Sequence, residues 1–198
     1  MDFLLLYWRD LIARIRSAID EDVKAIADIY VESWRSTYAG IIPDKVLIEM
    51  SVERQMVMWA RAIRNTEGLK REKILVIEED SFGVIGVGSC GFNRDRVTNY
   101  SGEVYTLYIH PNYQGRGHGE QLLAGLFNIM IAREYNTALV WVLALNPSRF
   151  FYEVMGGKRV SEREEKIWGT VLTEISYGWD DLARALNDGK PKLKLLSL

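Results

Sequence analysis

The sequence has little of several features that would point to particular functions. It contains one cysteine, Cys90, and two histidines, which excludes an internal disulfide and a cysteine-based metal cluster and leaves little for another metal site. Basic and acidic residues almost balance, 25 against 27, so no field favours nucleic acid or an anionic membrane. The apolar start, residues 1–8, meets Arg9 and Asp10 at once and is far shorter than the roughly 20 residues of a membrane span. We therefore expect a cytoplasmic protein with no metal, no nucleic-acid partner and no membrane partner.

No linker, repeat or low-complexity segment divides the chain. Of its residues, 48% are hydrophobic and 26% are charged, as in ordinary globular domains, and the length suits one domain with a sizeable core. We expect one domain over residues 13–186, preceded by an extension (1–12) and followed by a tail (187–198). The extension could be a packing or oligomer arm, a docked helical turn or a disordered segment, which leaves a homodimer open.

Hydrophobic periodicity predicts an alternation of helices and strands. The predicted strands cover residues 13–18, 73–78, 84–92, 102–109, 138–143, 158–162 and 167–177. The predicted helices cover 21–36, 44–50, 51–65, a stretch up to 134, one from Pro147 to the glycine pair at 156–157, and 179–186. The run 138–143 is almost continuously apolar, as in a strand buried on both faces. It follows a strand and a helix, so a crossover makes it parallel to the strand 102–109. A mixed sheet with helices on both faces follows.

A glycine-rich turn at residues 114–119 joins the strand 102–109 to the next helix. Such a turn directs several backbone N–H groups outward at the positive end of a helix dipole, which suits a phosphate group. A Walker A loop would need Lys-Ser or Lys-Thr after a glycine, and this turn has neither. The dinucleotide fingerprint would need a glycine at the position of Glu120. Both familiar phosphate-binding motifs are therefore excluded.

The turn does match the pattern Gln/Arg-x-x-Gly-x-Gly/Ala, and it resembles the acetyl-CoA-binding motif of GNAT-type N-acetyltransferases. The resemblance covers roughly residues 14–182 in the family's order. Residues 33–41 and 175–182 resemble a bacterial and archaeal branch that includes polyamine-acetylating members, and residues 146–152 look like the family's second cofactor motif. The resemblance implies an α+β fold, with a central, mostly antiparallel seven-stranded sheet, one parallel splayed pair and helices on both faces.

The resemblance also implies where acetyl-CoA binds. In this family the cofactor lies where the strand ending at Ile109 splays from the strand ending at Leu143, and a β-bulge there leaves backbone groups free. Leu107 and Ile109 would offer main-chain groups to the pantetheine arm, and the Ile109 N–H would polarise the thioester carbonyl. Asn146 would hold a pantetheine amide or carbonyl. The full set of cofactor-binding residues carried over is Leu107, Tyr108, Ile109, Gln114, Gly115, Arg116, Gly117, His118, Gly119, Glu120 and Asn146.

Acetyl transfer to an amine requires two proton movements. A free alkyl amine has a pKa near ~10, so it must lose a proton before it attacks, and the leaving thiolate then gains one. The resemblance implies Tyr152 as the general acid and favours Glu103 as the base, acting directly or through water. The alternatives are a half-buried aromatic on a helix for Tyr152 and a solvated edge-strand glutamate for Glu103.

The acceptor pocket of this family lies between the first two helices and the late hairpin. Trp34, Tyr38 and Tyr105 are candidates to line it, although aromatics are more often core residues. We interpret His118 as an exposed turn residue and Cys90 as a small buried apolar group.

The resemblance therefore predicts an acetyl-CoA-dependent N-acetyltransferase that acts by direct attack in a ternary complex. The acceptor would be a primary amine of a small molecule such as a polyamine, or a protein amine. A non-catalytic acyl-CoA-binding module on the same fold and an enzyme transferring a longer acyl group are the alternatives. The sequence does not identify the acceptor, and a polyamine, an amino acid, an aminoglycoside-like drug and a protein amine all remain open.

Overall fold

A computed structural model describes residues 13–65, 72–95, 98–167 and 169–187 of the protein. The strands are β1 (Arg14–Ser17), β2 (Lys73–Glu79), β3 (Gly83–Phe92), β4 (Gly102–Ile109), β5 (Ala138–Leu143), β6 (Lys158–Ile167) and β7 (Thr170–Trp179). The helices are α1 (Val23–Tyr38), α2 (Asp44–Glu49), α3 (Val52–Arg64), α4 (His118–Ala132), α5 (Arg149–Val154) and α6 (Leu182–Asn187). Short 3₁₀ turns occupy Asp20–Asp22 and Pro111–Tyr113.

The strands form one seven-stranded sheet in the order β1-β2-β3-β4-β5-β7-β6. Neighbouring strands are antiparallel except for β4 and β5, which are parallel. This parallel pair forms because α4 carries the chain from the end of β4 back to the start of β5. The predicted α+β fold, with a mostly antiparallel seven-stranded sheet and one parallel pair, is confirmed.

Alternating side chains of β2 show how helices cover both faces of the sheet. Leu75 and Ile77 pack in a core cluster with α4, whereas Ile74 and Val76 pack in a second cluster with α1 and α3. Successive side chains of a strand point to opposite faces, so a strand that is apolar on both faces needs helices on both. Cys90 lies in the α4 cluster and is 1% exposed, as predicted.

Several element boundaries differ from those predicted. β6 pairs with β7 along its length and continues to Ile167, five residues beyond the predicted end at Glu162. The first turn of α5 begins at Arg149 instead of Pro147, because the Asn146 side chain closes a turn by accepting the Ser148 N–H at 2.8 Å. β7 includes Trp179, which the sequence pattern places in the last helix; its indole N–H donates to the Met155 carbonyl.

The predicted extension (1–12) and all but the first residue of the predicted tail lie outside the described residues. Within the described ranges, no helix combines the length and apolar character needed to cross a membrane. In the same part of the chain, no group of three or more His, Cys, Asp or Glu side chains is arranged to hold a metal ion.

Candidate active site

β4 and β5 run side by side for a short distance and then separate. Their parallel pairing covers three residues of each strand and ends at Val104 and Val140. β4 continues to Ile109 and β5 to Leu143, so beyond the last pair the facing strand edges have no strand partner. Backbone N–H and C=O groups must be hydrogen-bonded when they are buried. The gap between the two strands is therefore suited to an extended ligand with amide groups.

A β-bulge on β4 lies where the two strands separate. Cys90 of β3 pairs with Val104, and the preceding residue Ser89 pairs with Thr106. Tyr105 is thus an extra residue on β4 without a partner on β3. A bulge bends a strand and increases its local twist, which directs the end of β4 away from β5.

A cavity of about 220 Å³ occupies the space between the separated strands. Its walls come from α1, β4, β5, the segment leading into α5, and the β6–β7 hairpin. The lining residues that carry polar atoms or aromatic rings are Ser33, Trp34, Thr37, Tyr38, Tyr105, Thr106, Tyr108, Gln114, Trp141, Asn146, Ser148, Tyr152 and Glu174. Among the lining residues in the described ranges, Glu174 is the single charged one. Leu107 and Ile109, the predicted main-chain contacts of the cofactor, also lie on the wall.

The glycine turn has the open geometry expected of an anion cradle. Gly115 and Gly117 adopt positive φ angles of 73° and 84°, a conformation that residues with a Cβ rarely adopt. A Cβ placed at either position would meet no atom within 4 Å. Gly117 is the N-cap of α4 and has no side chain that could bind the first backbone N–H groups of the helix. These groups therefore remain available to a ligand. Gly119 is closer to its surroundings, with a Cβ position 3.4 Å from the Phe151 ring.

Two side chains bind the turn to the segment that precedes it. The Gln114 Nε2 donates to the Ile109 carbonyl at 3.0 Å, and the Arg116 Nη2 donates to the Asn112 carbonyl at 3.1 Å. Glu120 lies in the first turn of α4, where burial raises the pKa of its carboxyl. Gln114 also lines the cavity, so the turn and the cavity form one continuous surface.

Tyr152 lies on α5 at the wall of the cavity. The residue is 7% exposed, and its ring packs against Phe151, Tyr177 and Trp179. Burial raises the pKa of the Tyr152 phenol, and Tyr38 acts in the same direction. The phenol makes no hydrogen bond to any described residue. It is thus a protonated donor on the cavity wall, as a general acid must be.

Asn146 connects the second predicted cofactor motif to α1. Its side-chain Nδ2 donates to the Tyr38 hydroxyl at 3.0 Å. Burial raises the pKa of Tyr38; the hydrogen bond from Asn146 opposes this, and the charge of Glu174 reinforces it. Tyr38 and Glu174 both belong to the wall of the cavity.

The three residues predicted to line an acceptor pocket all lie on the wall of this cavity. The Trp34 ring packs against the Tyr38 ring in a tilted arrangement with centroids 4.6 Å apart, and its indole N–H donates to the Tyr108 hydroxyl at 3.0 Å. Tyr105 donates from its hydroxyl to the Phe92 carbonyl at 2.7 Å. The structure therefore brings Trp34, Tyr38 and Tyr105 together, and their role in acceptor binding stays a prediction.

Glu103 lies beside the cavity and not among its lining residues. Glu103 is 3% exposed, and both carboxylate oxygens accept hydrogen bonds from Arg94: Oε1 from Nη2 at 2.6 Å, and Oε2 from Nε and the backbone N–H. The Arg94 guanidinium in turn stacks on the Tyr105 ring at 3.9 Å. The alternative of a solvated edge-strand glutamate is wrong, because β4 lies between β3 and β5. The predicted role of Glu103 as the base is not tested by this arrangement.

Glu174 is a residue of the cavity wall that the sequence did not reveal. It lies on β7, where its Oε2 accepts from the Arg163 Nη2 at 2.7 Å. Its Oε1 accepts no hydrogen bond from the described residues. Several glutamates occupy the β6–β7 hairpin, and no sequence pattern distinguishes the one that faces the cavity.

The prediction that His118 is an exposed turn residue is wrong. It is 5% exposed, and its Nε2 lies 2.9 Å from Oε1 of Glu79, which is 1% exposed. Residues four apart on a helix share a face, and His118 is four residues before Leu122, which is fully buried. Burial lowers the pKa of His118; Glu79 opposes this shift and Arg116 adds to it.

Comparison with known proteins identifies the family. A model of the acetyltransferase (GNAT) family matches residues 23–156. The uncharacterized N-acetyltransferase YuaI from Bacillus subtilis is 33% identical over 169 residues, which are 85% of this chain and 94% of that protein. The chain therefore belongs to the GNAT acetyltransferase family. The predicted family and the predicted enzyme class, N-acetyltransferase, are confirmed.

More distant relatives carry more specific names. A [ribosomal protein bS18]-alanine N-acetyltransferase from Haemophilus influenzae is 28% identical over 119 residues, 60% of this chain and 77% of that protein. A spermidine N(1)-acetyltransferase from Thermoplasma acidophilum is 24% identical over 156 residues, 76% of this chain and 90% of that protein. The crystal structure of the PaiA N-acetyltransferase from Thermoplasma acidophilum, solved with coenzyme A, has a TM-score of 0.64 at 21% identity. It covers 84% of this chain and 99% of that chain, a likeness that shows the fold.

Proposed function

We propose that the protein transfers the acetyl group of acetyl-CoA to a primary amine by direct attack in a ternary complex. The observation that carries this proposal is the continuity of the site. One cavity reaches from Gln114, at the open glycine turn, along the unpaired edges of β4 and β5 to Tyr152. A cofactor with a pyrophosphate, a peptide-like arm and a terminal thioester needs an anion site, a strand edge and a proton donor in this order, which the turn, the edges of β4 and β5, and Tyr152 would provide.

Each part of the site fits one part of acetyl-CoA. The N–H groups of the turn, residues 114–119, would hold the pyrophosphate, because Gly115 and Gly117 leave open space there. The backbone groups of Leu107 and the backbone N–H of Ile109 would pair with the pantetheine arm, as a further strand would. Asn146 would contact the same arm from the opposite wall of the cavity.

The chain's own residues supply the proton transfers. When bound, acetyl-CoA supplies an acetyl group activated as a thioester. The amine nitrogen forms the amide bond as the C–S bond breaks, and Tyr152 donates its phenolic proton to the sulfur. The proton lost by the amine goes to a carboxylate, either Glu103 through water or Glu174 directly. No residue has to carry the acetyl group, which is consistent with the position of Cys90 in the core.

The cavity favours an acceptor that arrives as an ammonium ion. Among the described residues of its wall, Glu174 carries the one charge, and none is a cation that could hold an acceptor's carboxylate. Trp34, Tyr38 and Tyr105 add aromatic surface, which attracts cations through the faces of the rings. Because two relatives are named for spermidine and for the alanine of a ribosomal protein, we propose a polyamine or a protein N-terminal amine as the acceptor.

Thiol release from acetyl-CoA with a panel of amines tests this proposal. The panel contains spermidine, putrescine, a peptide with an N-terminal alanine, and free alanine as an acceptor with a carboxylate beside its amine. We expect release with spermidine or the peptide and little with free alanine. Binding of acetyl-CoA without release for any amine would instead indicate a non-catalytic acyl-CoA-binding module. Repeating the panel with longer acyl-CoAs tests transfer of a larger acyl group.

A further inference from the structure

A buried acid and a buried imidazole meet beneath the glycine turn. Nε2 of His118 lies 2.9 Å from Oε1 of Glu79, but neither side chain forms a hydrogen bond of normal geometry, with the other or with any residue of the described ranges. Their side chains are 6% and 1% exposed. A buried carboxylate with so few partners is costly to keep charged, so the state of this pair depends strongly on nearby charge.

The position of the pair in the fold links it to the turn. Glu79 ends β2 on the face of Leu75 and Ile77, which is the face that α4 covers. His118 is the first residue of α4 and directly follows Gly117, whose open surface would hold a phosphate. The carboxylate of Glu79 therefore lies behind the positive end of the α4 dipole, where negative charge is favoured.

Few other charged groups lie near His118. Arg116 of the glycine turn acts on its ring together with Glu79. β3, the strand next to β2, carries no charged residue between Gly83 and Phe92. On β1, Arg14 and Arg16 are engaged with Glu78, and on α4 Glu120 lies two residues along the helix from His118. The charge beneath the turn is thus set mainly by whether His118 carries a proton.

We propose that the Glu79–His118 pair adjusts the charge beneath the glycine turn, and that His118 takes up a proton when the cofactor's pyrophosphate binds. This inference rests on the proposed function, because it assumes that the turn holds the pyrophosphate of acetyl-CoA. With His118 neutral, Glu79 leaves a net negative charge behind the cradle, which repels the ligand. With His118 protonated, the pair is neutral and the repulsion disappears.

The sign of the pH dependence follows from this arrangement. The bound anion raises the pKa of His118 above its value in the free protein, so the complex holds more protons than the separate molecules. Affinity is therefore highest at low pH. It falls as pH rises through the pKa of His118 in the free protein and then through its higher pKa in the complex. One charge pair at several ångströms in a partly buried site is worth about 1 kcal/mol, or about one pKa unit. The effect on the dissociation constant is then about threefold to tenfold.

Two variants with opposite expected effects test the proposal. The dissociation constant of coenzyme A is measured by calorimetry from pH 5.5 to pH 8 for the wild type, Glu79→Gln and His118→Gln. Glu79→Gln removes the negative charge and also the group that raises the pKa of His118, so His118 stays neutral across this range. We therefore expect the variant to match the wild type at pH 5.5 and to bind about threefold to tenfold more tightly at pH 8. His118→Gln removes the group that takes up the proton, so we expect it to bind more weakly than the wild type at pH 5.5 and equally at pH 8.

Glu78→Gln is the matched control, since it removes the neighbouring carboxylate of β2 on the opposite face. We expect its profile to run parallel to that of the wild type. The 3′-phosphate of coenzyme A titrates in the same range. The quantity to compare is therefore the ratio of the dissociation constants of wild type and variant at each pH. A constant ratio of wild type to Glu79→Gln across pH would overturn the proposal.

Nuclear magnetic resonance gives an independent measurement that does not depend on the variants folding well. The chain has two histidines, so their ring signals are readily separated. We expect coenzyme A to raise the pKa of the His118 ring by about 0.5–1 unit. An unchanged His118 pKa in the saturated complex would also overturn the inference. Failure of the wild type to bind coenzyme A at any pH would instead refute the proposed function.

Discussion

Tyr152 is the residue on which the chemistry of the site most depends. Its phenol lies on the cavity wall, and burial raises its pKa, so it keeps its proton throughout the neutral range. We expect Tyr152→Phe to lower kcat about 100-fold or more, because general acids typically contribute that factor. The KM for acetyl-CoA should change little, since the ring and its packing remain. Steady-state kinetics with a saturating amine provides the measurement.

Tyr30→Phe is the control for this substitution. Tyr30 is a tyrosine of α1 whose pKa is also raised by burial, but it does not line the cavity. It should retain wild-type kcat. An unaltered kcat in Tyr152→Phe would assign the acid to another group, for which Tyr38, which also lines the cavity, is the next candidate.

Glu103 and Glu174 are the two carboxylates that could receive the proton of the amine. Glu103 uses both oxygens to bind Arg94, whereas Glu174 faces the cavity and has one oxygen without a donor among the described residues. We therefore expect Glu174→Gln to raise the KM for the amine about tenfold and to remove the low-pH limb of kcat/KM. Glu103→Gln should retain that limb. We expect it to lower kcat/KM by a smaller factor, because Arg94 would no longer be held over the Tyr105 ring by Glu103.

The pH–rate profiles of both variants distinguish the roles. A profile for Glu103→Gln that lacks the low-pH limb would establish it as the base and leave Glu174 as a binding residue. Glu49→Gln, which removes an exposed carboxylate of α2, controls for the general loss of negative charge.

At the level of single residues, the sequence predicted more of the site than its isolated motifs suggest. Trp34, Tyr38, Tyr105, Asn146 and Tyr152 are distant in the chain, yet the structure places all of them on one cavity. The family's order of elements made this prediction possible. The sequence did not predict the positions of Glu174 and Glu79 in the site. The side of the sheet to which a single carboxylate points depends on strand register and on which helix covers the strand. Neither property is visible in a local pattern.

At the level of elements, the glycine turn joins β4 to α4 and presents the first N–H groups of the helix. We expect Gly117→Trp to weaken acetyl-CoA binding about 100-fold or more, because the indole would cover the cradle. The φ angle of 84° at this position adds a cost of about 1–2 kcal/mol to the folded state. Calorimetry reports the affinity and thermal unfolding reports the stability.

Gly40→Trp separates strain from loss of the cradle. Gly40 has a φ angle of 76°, and a Cβ added there would have no atom within 4 Å, so the substitution carries a similar backbone cost at a position that is not part of the glycine turn. Equal loss of affinity in both variants would show that strain alone, and not the cradle, explains the result.

The elements that were placed least accurately are those whose ends depend on distant contacts. α5 begins later than predicted because the Asn146 side chain forms its own turn with Ser148. β7 continues through Trp179 because that residue is buried against Phe127 and Tyr152. The strongly periodic elements, such as α1 and β2, closely match their predicted ranges, since their own side chains determine which face is buried.

At the level of the whole molecule, the sheet is divided nearly in two at the parallel pair. β1 to β4 lie on one side and β5 to β7 on the other, and three residues of each strand join them in the sheet. The packing of α4 and α6 in the shared core cluster, and the contacts of the α1–α2 region with Leu143 and Leu172, provide further connections. A ligand that fills the gap would therefore connect the two halves of the sheet.

Acetyl-CoA should for this reason stabilise the entire domain and protect both sides of the gap. At a concentration of 100 times its dissociation constant, binding to the folded state alone adds about 2.7 kcal/mol. For a chain of this size that corresponds to a rise in Tm of about 5–10 °C. We expect hydrogen exchange to slow in β5 and α5 as well as in β4 and α4, and Gly117→Trp to show neither effect. A rise in Tm with protection confined to the glycine turn would mean that the pantetheine arm does not lie between the strands.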